Sequence, residues 1–489
     1  MFPVPCSLLP TPYSLLPTPH SLLPKKKSTS PILNMLYDPP IATKIATINQ
    51  CLCWGNTGII KEGIDQTQLV LDDGENERPD FSFLVIGDTD SDTEYGRKLQ
   101  TQIAQELREH IDTCRFTLHT GDLVYPFGSG EFYLEKFITF YREVFGIRSP
   151  VKKTDTTRLV FNHPIFPVPG NHDYYDLTFL PRLFAQLSLP VRRWLKSKLG
   201  LTLGWESSYQ GKAYAHAFLD CLNQPHKRRN LAEYLNQHYT AKTETGRCLR
   251  YQPGHFTRLP NRYYTFRYGG IDFFALDSNT FCSSDSSSKP KAGPDREQLD
   301  WLQQRLIDSW HDPQVRGRVI YLHHSPYSTE TSRWEQPDAI AVRGHLRQVL
   351  DQVAAAIGSL PEKRPLVDLI LSGHAHCFEH LRTFDTKHAD SHLNWLVCGG
   401  SGASLRHQRK DGVEVMEISG GGYVQMVARS LLFIGRKGKG RTARSTHTFL
   451  RIDVHNGVPP KFVIRPFIVE KLKNKWSSSA IKPFVIQNL

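Results

Sequence analysis

Short apolar runs recur along the middle of the chain, and each has the length of a buried strand rather than of a helix. A glycine or a small polar residue follows most of these runs closely, which is typical of the end of a strand. Between them lie longer segments with the spacing of amphipathic helices. The pattern predicts an α/β fold whose central strands cover residues 81–86, 115–119, 165–168, 319–322 and 367–371.

The clearest helical pattern covers residues 95–111, where Leu99 and Ile103 lie four positions apart on one face. Another covers 295–310, and Pro294 suits the first turn of that helix. Further helices are predicted over residues 131–145 and 340–357, and further strands over 263–266, 271–276, 446–454 and 461–466.

Polar side chains follow five of the predicted strands. Since open α/β sheets place their sites at the carboxyl ends of their strands, we expect these side chains to converge on one edge. Carboxylate, amide and imidazole groups together suit first-row divalent metals. One such residue alone is usually a turn or core residue, but the order of the motifs argues against coincidence. The motifs are Gly87-Asp88, Gly121-Asp122-Leu123-Val124-Tyr125, Gly170-Asn171-His172-Asp173, His323-His324-Ser325-Pro326 and Gly373-His374-Ala375-His376.

A pair of metal ions about 3.5–4 Å apart can clamp a phosphate group and activate a water molecule. The pair needs a carboxylate that bridges both ions, and Asp122 is the candidate. The other predicted ligands are Asp88 and His376 for one ion, and Asn171, His324 and His374 for the second.

Other polar residues stand near these positions. Tyr125 offers a phenolate, which a ferric ion favours, and Asp90 is a second carboxylate that could bind a metal or support a ligand. His119 and Asp277 also lie near strand ends, and we expect them to support the site or the fold.

His172 is the predicted proton donor. Beside a metal-held phosphate ester it would protonate the leaving alkoxide, with Asp173 orienting its ring. Asn171 and His172 are also predicted to contact the phosphate of the substrate.

The ends of the chain differ in composition from this centre. Residues 1–24 repeat the phrase Ser-Leu-Leu-Pro, and proline at that density predicts that the leader, residues 1–34, is disordered rather than a signal peptide. The predicted phosphoesterase domain covers 79–470, with an insertion at about 177–262 and a tail at 471–489. The insertion either shapes access to the site or decorates the surface.

Charge narrows the range of partners. The formal net charge of +12 favours anionic ligands such as phosphorylated substrates, nucleic acid or acidic lipid. The basic loop at 436–441 lacks interleaved aromatic residues, so the nucleic-acid signal is weak. No apolar run reaches the ~20 residues of a membrane-spanning helix, and we expect a soluble protein whose oligomeric state is open.

The 9 cysteines are an odd number spread over a long chain. This argues against a disulfide framework and for a reducing compartment, so the expected location is cytoplasmic. Cys51 and Cys53 form a C-x-C pair without a second pair nearby, and we expect two thiols there rather than a zinc site.

Taken in order, the motifs resemble those of the calcineurin-like metallophosphoesterase superfamily from Asp88 to His376. Tyr125 replaces the second aspartate of G-D-x-x-D, and Glu379 follows the last motif; both features resemble the purple acid phosphatase branch. The tyrosine of that branch binds ferric iron, which implies the same role here. The resemblance also implies a four-layer α/β/β/α fold, in which a central β-sandwich is flanked by helices.

The sequence departs from the family pattern at one position, and at another position the pattern has to choose between two adjacent histidines. Asp90 stands where the broad superfamily has a metal-binding histidine. The family pattern His-x-Pro selects His324 as the ligand, since Pro326 completes it, and His323 is the alternative.

The predicted function is that of a metal-dependent phosphomonoesterase, in which a hydroxide bridging two ions of iron, manganese or zinc attacks phosphorus. A phosphodiesterase or a phosphoprotein phosphatase on the same fold is the alternative. A catalytically weak protein that binds phosphorylated ligands is another, although the nearly complete ligand set argues against it. A nucleic-acid-binding or nucleic-acid-cleaving protein would show a steeply salt-dependent affinity.

Overall fold

The computed structural model describes residues 36–89, 93–148, 156, 159–177, 210–282, 293–358, 364–418, 422–438, 443–472 and 475–487. The predicted leader at 1–34, the candidate Asp90, part of the predicted insertion (178–209) and part of the basic loop (439–441) lie outside the described residues.

Two large sheets hold most of the strands. The first contains β3 (Phe81–Ile86), β4 (Thr117–His119), β5 (Ile165–Pro167), β19 (His447–His455), β20 (Lys461–Leu472), β21 (Lys475–Ala480) and β22 (Phe484–Ile486). Their order is β21-β20-β19-β3-β4-β5, and β22 pairs with β20.

The second sheet is larger. It contains β2 (Ile64–Leu71), β7 (Ala241–Thr243), β8 (Gly246–Tyr251), β9 (Tyr264–Tyr268), β10 (Ile271–Ala275), β11 (Gly317–Leu322), β12 (Leu369–Ser372), β13 (Phe378–Thr383), β14 (Asn394–Cys398), β15 (Glu414–Ile418) and β16 (Val424–Ile434). Their order is β15-β16-β13-β14-β12-β11-β10-β9-β2-β8-β7. Two short pairs join β1 (Leu36–Tyr37) to β6 (Asp176–Leu177) and β17 (Arg436–Lys437) to β18 (Arg444–Ser445).

The helices are α1 (Ile41–Leu52), α2 (Thr57–Lys61), α3 (Glu94–Ile111), α4 (Gly130–Phe132), α5 (Thr139–Tyr141), α6 (Asn171–Tyr174), α7 (Lys212–Phe218), α8 (Pro225–Arg229), α9 (Leu231–His238), α10 (Arg296–His311) and α11 (Pro337–Ile357). A π-helical segment, Tyr133–Ile138, joins α4 to α5, and a 3-10 turn covers Ser278–Thr280. In the described part of the chain, no helix has both the length and the apolar composition needed to cross a membrane.

Aromatic rings fill the space between the two sheets. Phe83 of β3 and Phe116, which precedes β4, stack at a centroid distance of 5.3 Å. Phe166 of β5 lies 4.4 Å from Phe266 of β9 across the interface, and Phe266 stacks on Phe273 of β10 at 4.9 Å. Because rings at these distances bury large apolar areas, they hold the two sheets face to face.

Helices cover the outer faces of this sandwich. On the second sheet, Leu302 of α10 and Leu346 of α11 belong to one buried cluster with Ile320 of β11. Leu99 and Ile103 of α3 belong to the core cluster that contains the strands of the first sheet. This arrangement of helix, sheet, sheet and helix confirms the predicted α/β/β/α fold.

The folded region extends beyond the boundaries expected from the sequence. Strand β2 lies between β8 and β9, so the second sheet begins before residue 79. Gln66 and Thr67 of β2 are buried, and buried polar residues hide a strand from a hydrophobic pattern. At the other end, β21 and β22 add strands from the predicted tail to the first sheet.

A disulfide joins Cys51 of α1 to Cys221, with a Cα–Cα distance of 4.8 Å. The prediction of a free thiol is therefore wrong for Cys51. The two residues are 170 positions apart, so no local cysteine spacing reveals the pair. Six other cysteines in the described residues are free, so cysteine usage gives no consistent indication of the redox compartment.

Candidate metal centre

The carboxyl ends of parallel strands from both sheets meet at one edge of the sandwich. Strands β3, β4 and β5 run parallel in the first sheet, as do β10, β11 and β12 in the second. The backbone amide of His374, after β12, donates a hydrogen bond of 2.9 Å to Oδ2 of Asp88, after β3. Motifs that lie 286 residues apart in the sequence are thus in contact.

The turns at these strand ends have an unusual backbone. Asp88, Asp122 and His374 have φ angles of 53°, 53° and 66°. These angles lie in the left-handed region, which residues other than glycine rarely adopt. A Cβ added at Gly170 would lie 2.1 Å from the backbone nitrogen and from Oδ1 of Asp122. The surrounding structure therefore holds the turns in a strained conformation, which is frequent at functional sites.

One group of donors consists of Asp88, Asp122, Tyr125 and His376. The Tyr125 hydroxyl lies 2.9 Å from Asp88 Oδ1 and 2.8 Å from Asp122 Oδ2. His376 Nε2 lies 3.3 Å from that hydroxyl and 3.5 Å from Asp88 Oδ1. Two carboxylates, a phenol and an imidazole thus surround one point.

A second group of donors adjoins the first. Asp122 Oδ2 lies 3.5 Å from His323 Nε2. Asn171 Oδ1 lies 3.0 Å from His323 Nε2 and 3.0 Å from His374 Nδ1. Asp122 belongs to both groups, which is the position that a bridging carboxylate requires.

The outer ring nitrogen of each histidine in these groups is held by an acceptor. Nδ1 of His323 and Nδ1 of His376 donate to backbone carbonyl oxygens, at 2.9 Å and 3.1 Å. His374 Nε2 donates to Oε1 of Gln336 at 3.0 Å. A nitrogen that donates outward leaves the inner nitrogen unprotonated, and an imidazole in that state can bind a metal.

The geometry favours His323, the alternative kept open in the sequence analysis, over His324 as the ligand to propose. Ligand atoms of Asp88, Asp122 and His323 all lie within 4.8 Å of one another. His324 Nδ1 instead lies 2.8 Å from the hydroxyl of Ser278. Adjacent side chains at a strand end point to different sides, and His323 is the one directed at Asp122.

The buried charge of the site suits metal ions. Asp88 and Asp122 are 0% and 1% exposed. Burial and, after it, the negative charge of Asp122 hold the pKa of Asp88 well above its usual range. Within the described ranges, histidines are the basic side chains that pair with these carboxylates. Cations would relieve this repulsion, and the oxygen and nitrogen donors match first-row metals, so the residues fit a metal centre.

His172 and Asp173 differ in their relation to this centre. The half-buried His172 donates from Nδ1 to a backbone carbonyl at 2.7 Å, and its ring lies 4.2 Å from that of Tyr125. The carboxylate of Asp173 accepts from the amide of Gly170 at 2.8 Å and from the hydroxyl of Tyr133 at 2.5 Å. These contacts hold the turn together, and the role of Asp173 in orienting the His172 ring stays a prediction.

His119 and Asp277 form buried hydrogen bonds near the strand ends. His119 Nδ1 accepts from the amide of Gly121 at 3.1 Å, so Nε2 carries the proton and donates to Thr89 at 3.0 Å. Burial lowers the pKa of His119 to about 3, and its ring is neutral. Asp277 accepts from the guanidinium of Arg262 at 3.2 Å.

A cavity of about 90 Å³ opens beside the second donor group. Asn171, His374 and the half-buried Arg333 line it. Arg333 Nη1 donates to Gln336 Oε1 at 2.8 Å, and the same oxygen accepts from His374. No motif or periodicity marks Arg333 or Gln336 in the sequence, since both lie in the turn before α11.

Solved structures with a similar fold differ strongly from this chain in sequence. Purple acid phosphatase PPD1 from yellow lupin (Lupinus luteus) seeds is 14% identical with a TM-score of 0.43, over 80% of this chain and 52% of that one. GAP50, the anchor in the inner membrane complex of Plasmodium, is 15% identical with a TM-score of 0.40, over 82% and 89%. PhoD is 12% identical with a TM-score of 0.41, over 85% and 71%. The chain thus matches about half the length of the lupin structure.

Comparison of the sequence with family models identifies the family of this chain. A search of curated proteins gives no match. A family model described as calcineurin-like phosphoesterase, however, matches residues 81–378, which include every strand-end motif described above. Since this match covers more than half of the 489 residues, the chain belongs to the calcineurin-like phosphoesterase family, a family of metal-dependent hydrolases of phosphoester bonds.

Proposed function

We propose that this chain is a phosphomonoesterase with a dinuclear metal centre. The observation that carries the proposal is the orientation of three histidines, whose outer nitrogens are held by acceptors. Their inner nitrogens face the oxygen donors of Asp122, Asn171 and Asp88. The proposed ligands are Asp88, Asp122, Tyr125 and His376 for one ion, and Asp122, Asn171, His323 and His374 for the other.

Metal ions in such a pair polarise the phosphoryl oxygens and lower the pKa of a bound water. The side chains of the protein would orient the phosphate group and supply a proton to the leaving oxygen. Asn171 and His172 lie side by side at the start of α6, where both can contact a phosphate group. With Nδ1 of His172 held by a carbonyl, Nε2 of the protonated ring is the position from which a proton passes to the leaving oxygen.

Arg333 adds a positive charge on the open side of the centre. Its guanidinium lines the cavity with Asn171 and His374. Because Gln336 accepts hydrogen bonds from both Arg333 and His374, it fixes the guanidinium relative to the proposed ligand. We therefore assign Arg333 the role of pairing with phosphate oxygens that the metal ions leave uncovered.

The metal identity follows from Tyr125 if its phenolate binds an ion. A phenolate ligand favours iron, and ferric iron with such a ligand has a visible charge-transfer band. We expect a band in the wild-type protein loaded with iron and no band in Tyr125→Phe, measured by absorption spectroscopy. Full activity in a colourless, iron-free protein would instead support manganese or zinc.

The enzyme proposal is tested by hydrolysis of a chromogenic phosphomonoester and its diester, with single metals added to metal-free protein. We expect metal-dependent turnover of the monoester that is lost in Asp122→Asn. Asp112→Asn, at an exposed position after α3, is the matched control and retains activity.

Other results would change the assignment. Faster turnover of the diester would identify a phosphodiesterase. Stoichiometric metal binding without turnover of either ester would contradict the enzyme proposal and favour a protein that binds phosphorylated ligands.

A further inference from the structure

A second set of metal-binding side chains lies beside the proposed dinuclear centre. Ligand atoms of Cys282, His324 and Asp338 all lie within 4.8 Å of one another. Cys282 follows the 3-10 turn, His324 follows β11, and Asp338 lies in the first turn of α11. Three separate segments thus bring a thiol, an imidazole and a carboxylate to one place, and none of these residues belongs to the two donor groups of the metal centre.

The imidazole is oriented for a ligand role. His324 is 3% exposed, and the Ser278 hydroxyl lies 2.8 Å from its Nδ1 and accepts from its backbone amide at 3.0 Å. Since Nδ1 contacts Ser278, Nε2 is the nitrogen that would bind a metal, in the tautomer in which Nδ1 carries the proton and donates to the Ser278 hydroxyl. Cys282 is 7% exposed and so is also shielded from bulk solvent.

The surroundings provide space and suitable charge. The three side chains line the cavity of about 90 Å³, which has room for an ion and water molecules. Lys44 and Asp38 also line it and form an ion pair of 2.6 Å, so the half-buried Arg333 is the remaining positively charged side chain among the lining residues. A thiolate and the Asp338 carboxylate together balance a divalent cation.

We propose that Cys282, His324 and Asp338 bind one additional zinc-type divalent ion. Thiolate, imidazole and carboxylate are all zinc ligands, and three protein ligands leave a fourth coordination position for water or an anion. Binding replaces the thiol proton of Cys282, so one proton passes to solvent for each ion bound. The fourth position faces the cavity that Asn171 and His374 also line.

The test is a titration of metal-free, non-reduced, full-length protein with Co²⁺. Cobalt accepts zinc-type ligands, and a thiolate ligand produces a sulfur-to-cobalt charge-transfer band in the near ultraviolet. The proposed dinuclear ligands contain no sulfur, so this band reports the additional site alone. We expect the band in the wild-type protein, its loss in Cys282→Ser and weaker cobalt binding in Asp338→Asn.

Cys114→Ser is the matched control, because Cys114 is a free cysteine with an exposure of 5%, and it retains the band. Zinc analysis should show one ion more per chain in the wild-type protein than in Cys282→Ser. Asp122→Asn should keep the band, which separates failure of this site from failure of the dinuclear centre.

Two results would overturn the proposal. One is a wild-type protein that binds cobalt without the band. The other is a band that persists in Cys282→Ser; it would assign the thiolate ligand to another of the free cysteines.

Discussion

His323 and His324 follow the same strand, yet they contact different parts of the molecule. His323 faces Asp122, whereas His324 contacts Ser278 and lines the neighbouring cavity. The His-x-Pro spacing favours His324 as the metal ligand, whereas the distances favour His323. Their roles can therefore be separated by removing one imidazole at a time.

We expect His323→Ala to lower kcat/KM for a phosphomonoester by more than about 100-fold and to remove a metal ion, since loss of a ligand exceeds the 10–100-fold effect of losing its support. His324→Ala should change the same ratio by less than about 10-fold. Steady-state kinetics and metal analysis of both variants measure this. The reverse order of effects would return the ligand role to His324.

His447 is a buried histidine away from the metal ligands. It is 2% exposed, and burial lowers its pKa to about 4. An unfolded chain binds the proton at a pKa near 6.5. The unfolded state therefore gains protons first, so this residue stabilises the fold fully above about pH 6.5 and loses that contribution as the pH falls toward 4.

Replacing His447 by phenylalanine removes this proton uptake. Between pH 7 and 4.5 we expect the free energy of unfolding of His447→Phe to fall by about 2–3 kcal/mol less than that of the wild-type protein. Urea denaturation at both pH values measures the difference. An equal fall in the two proteins would show that protonation of His447 does not contribute to acid unfolding.

Among the helices and strands, α10 is joined to the second sheet by a buried ion cluster. Arg262 is 1% exposed and lies 3.2 Å from Asp277, after β10, and 2.5 Å from Asp295, the N-cap of α10. Removing the cation would leave two carboxylates buried without compensation. Such a loss is more damaging than the loss of an exposed ion pair.

We expect Arg262→Leu to lower the free energy of unfolding by about 3–5 kcal/mol. Arg108→Leu removes an exposed arginine that pairs with the exposed Glu143 at 3.1 Å, and it should lower that free energy by at most about 1 kcal/mol. Guanidinium denaturation of both variants measures the two values. Equal effects would show that the buried cluster adds nothing beyond an ordinary surface pair.

The strands that precede the motifs were predictable from the sequence, whereas β2, β7, β8 and β13 to β16 of the second sheet were not predicted. The five strands before the motifs lie within two residues of the positions expected from apolar runs. Strands that are buried on both faces are continuously apolar, so each can be recognised from a short stretch of sequence. Strand β2 escaped prediction because Gln66 and Thr67 occupy buried positions in it.

For the molecule as a whole, the Cys51–Cys221 disulfide closes a loop of 170 residues around much of the first half of the fold. The chain-entropy relation assigns such a loop about 5 kcal/mol, and measured values are commonly about 2–4 kcal/mol. The bond restricts mainly the unfolded chain, so reduction should lower stability without changing the fold.

We expect a reducing agent to lower the free energy of unfolding of the wild-type protein by about 2–5 kcal/mol. Cys221→Ser should have the lower value already and should not respond to the reducing agent. Denaturation curves with and without reductant measure this. A wild-type protein that is insensitive to reduction would show that the disulfide is absent or does not affect stability.

Local chemistry was enough to place the strands before the motifs, the helices α3, α10 and α11 and most of the proposed donors, because burial, turn formation and the motifs of Asp122, Asn171 and His374 depend on neighbouring residues. It could not choose between His323 and His324, assign Asp173 to the turn, pair Cys51 with Cys221 or find Arg333. Each of these depends on distances between segments tens to hundreds of residues apart in the sequence. Such distances exist only once the two sheets have packed and brought their strand ends together.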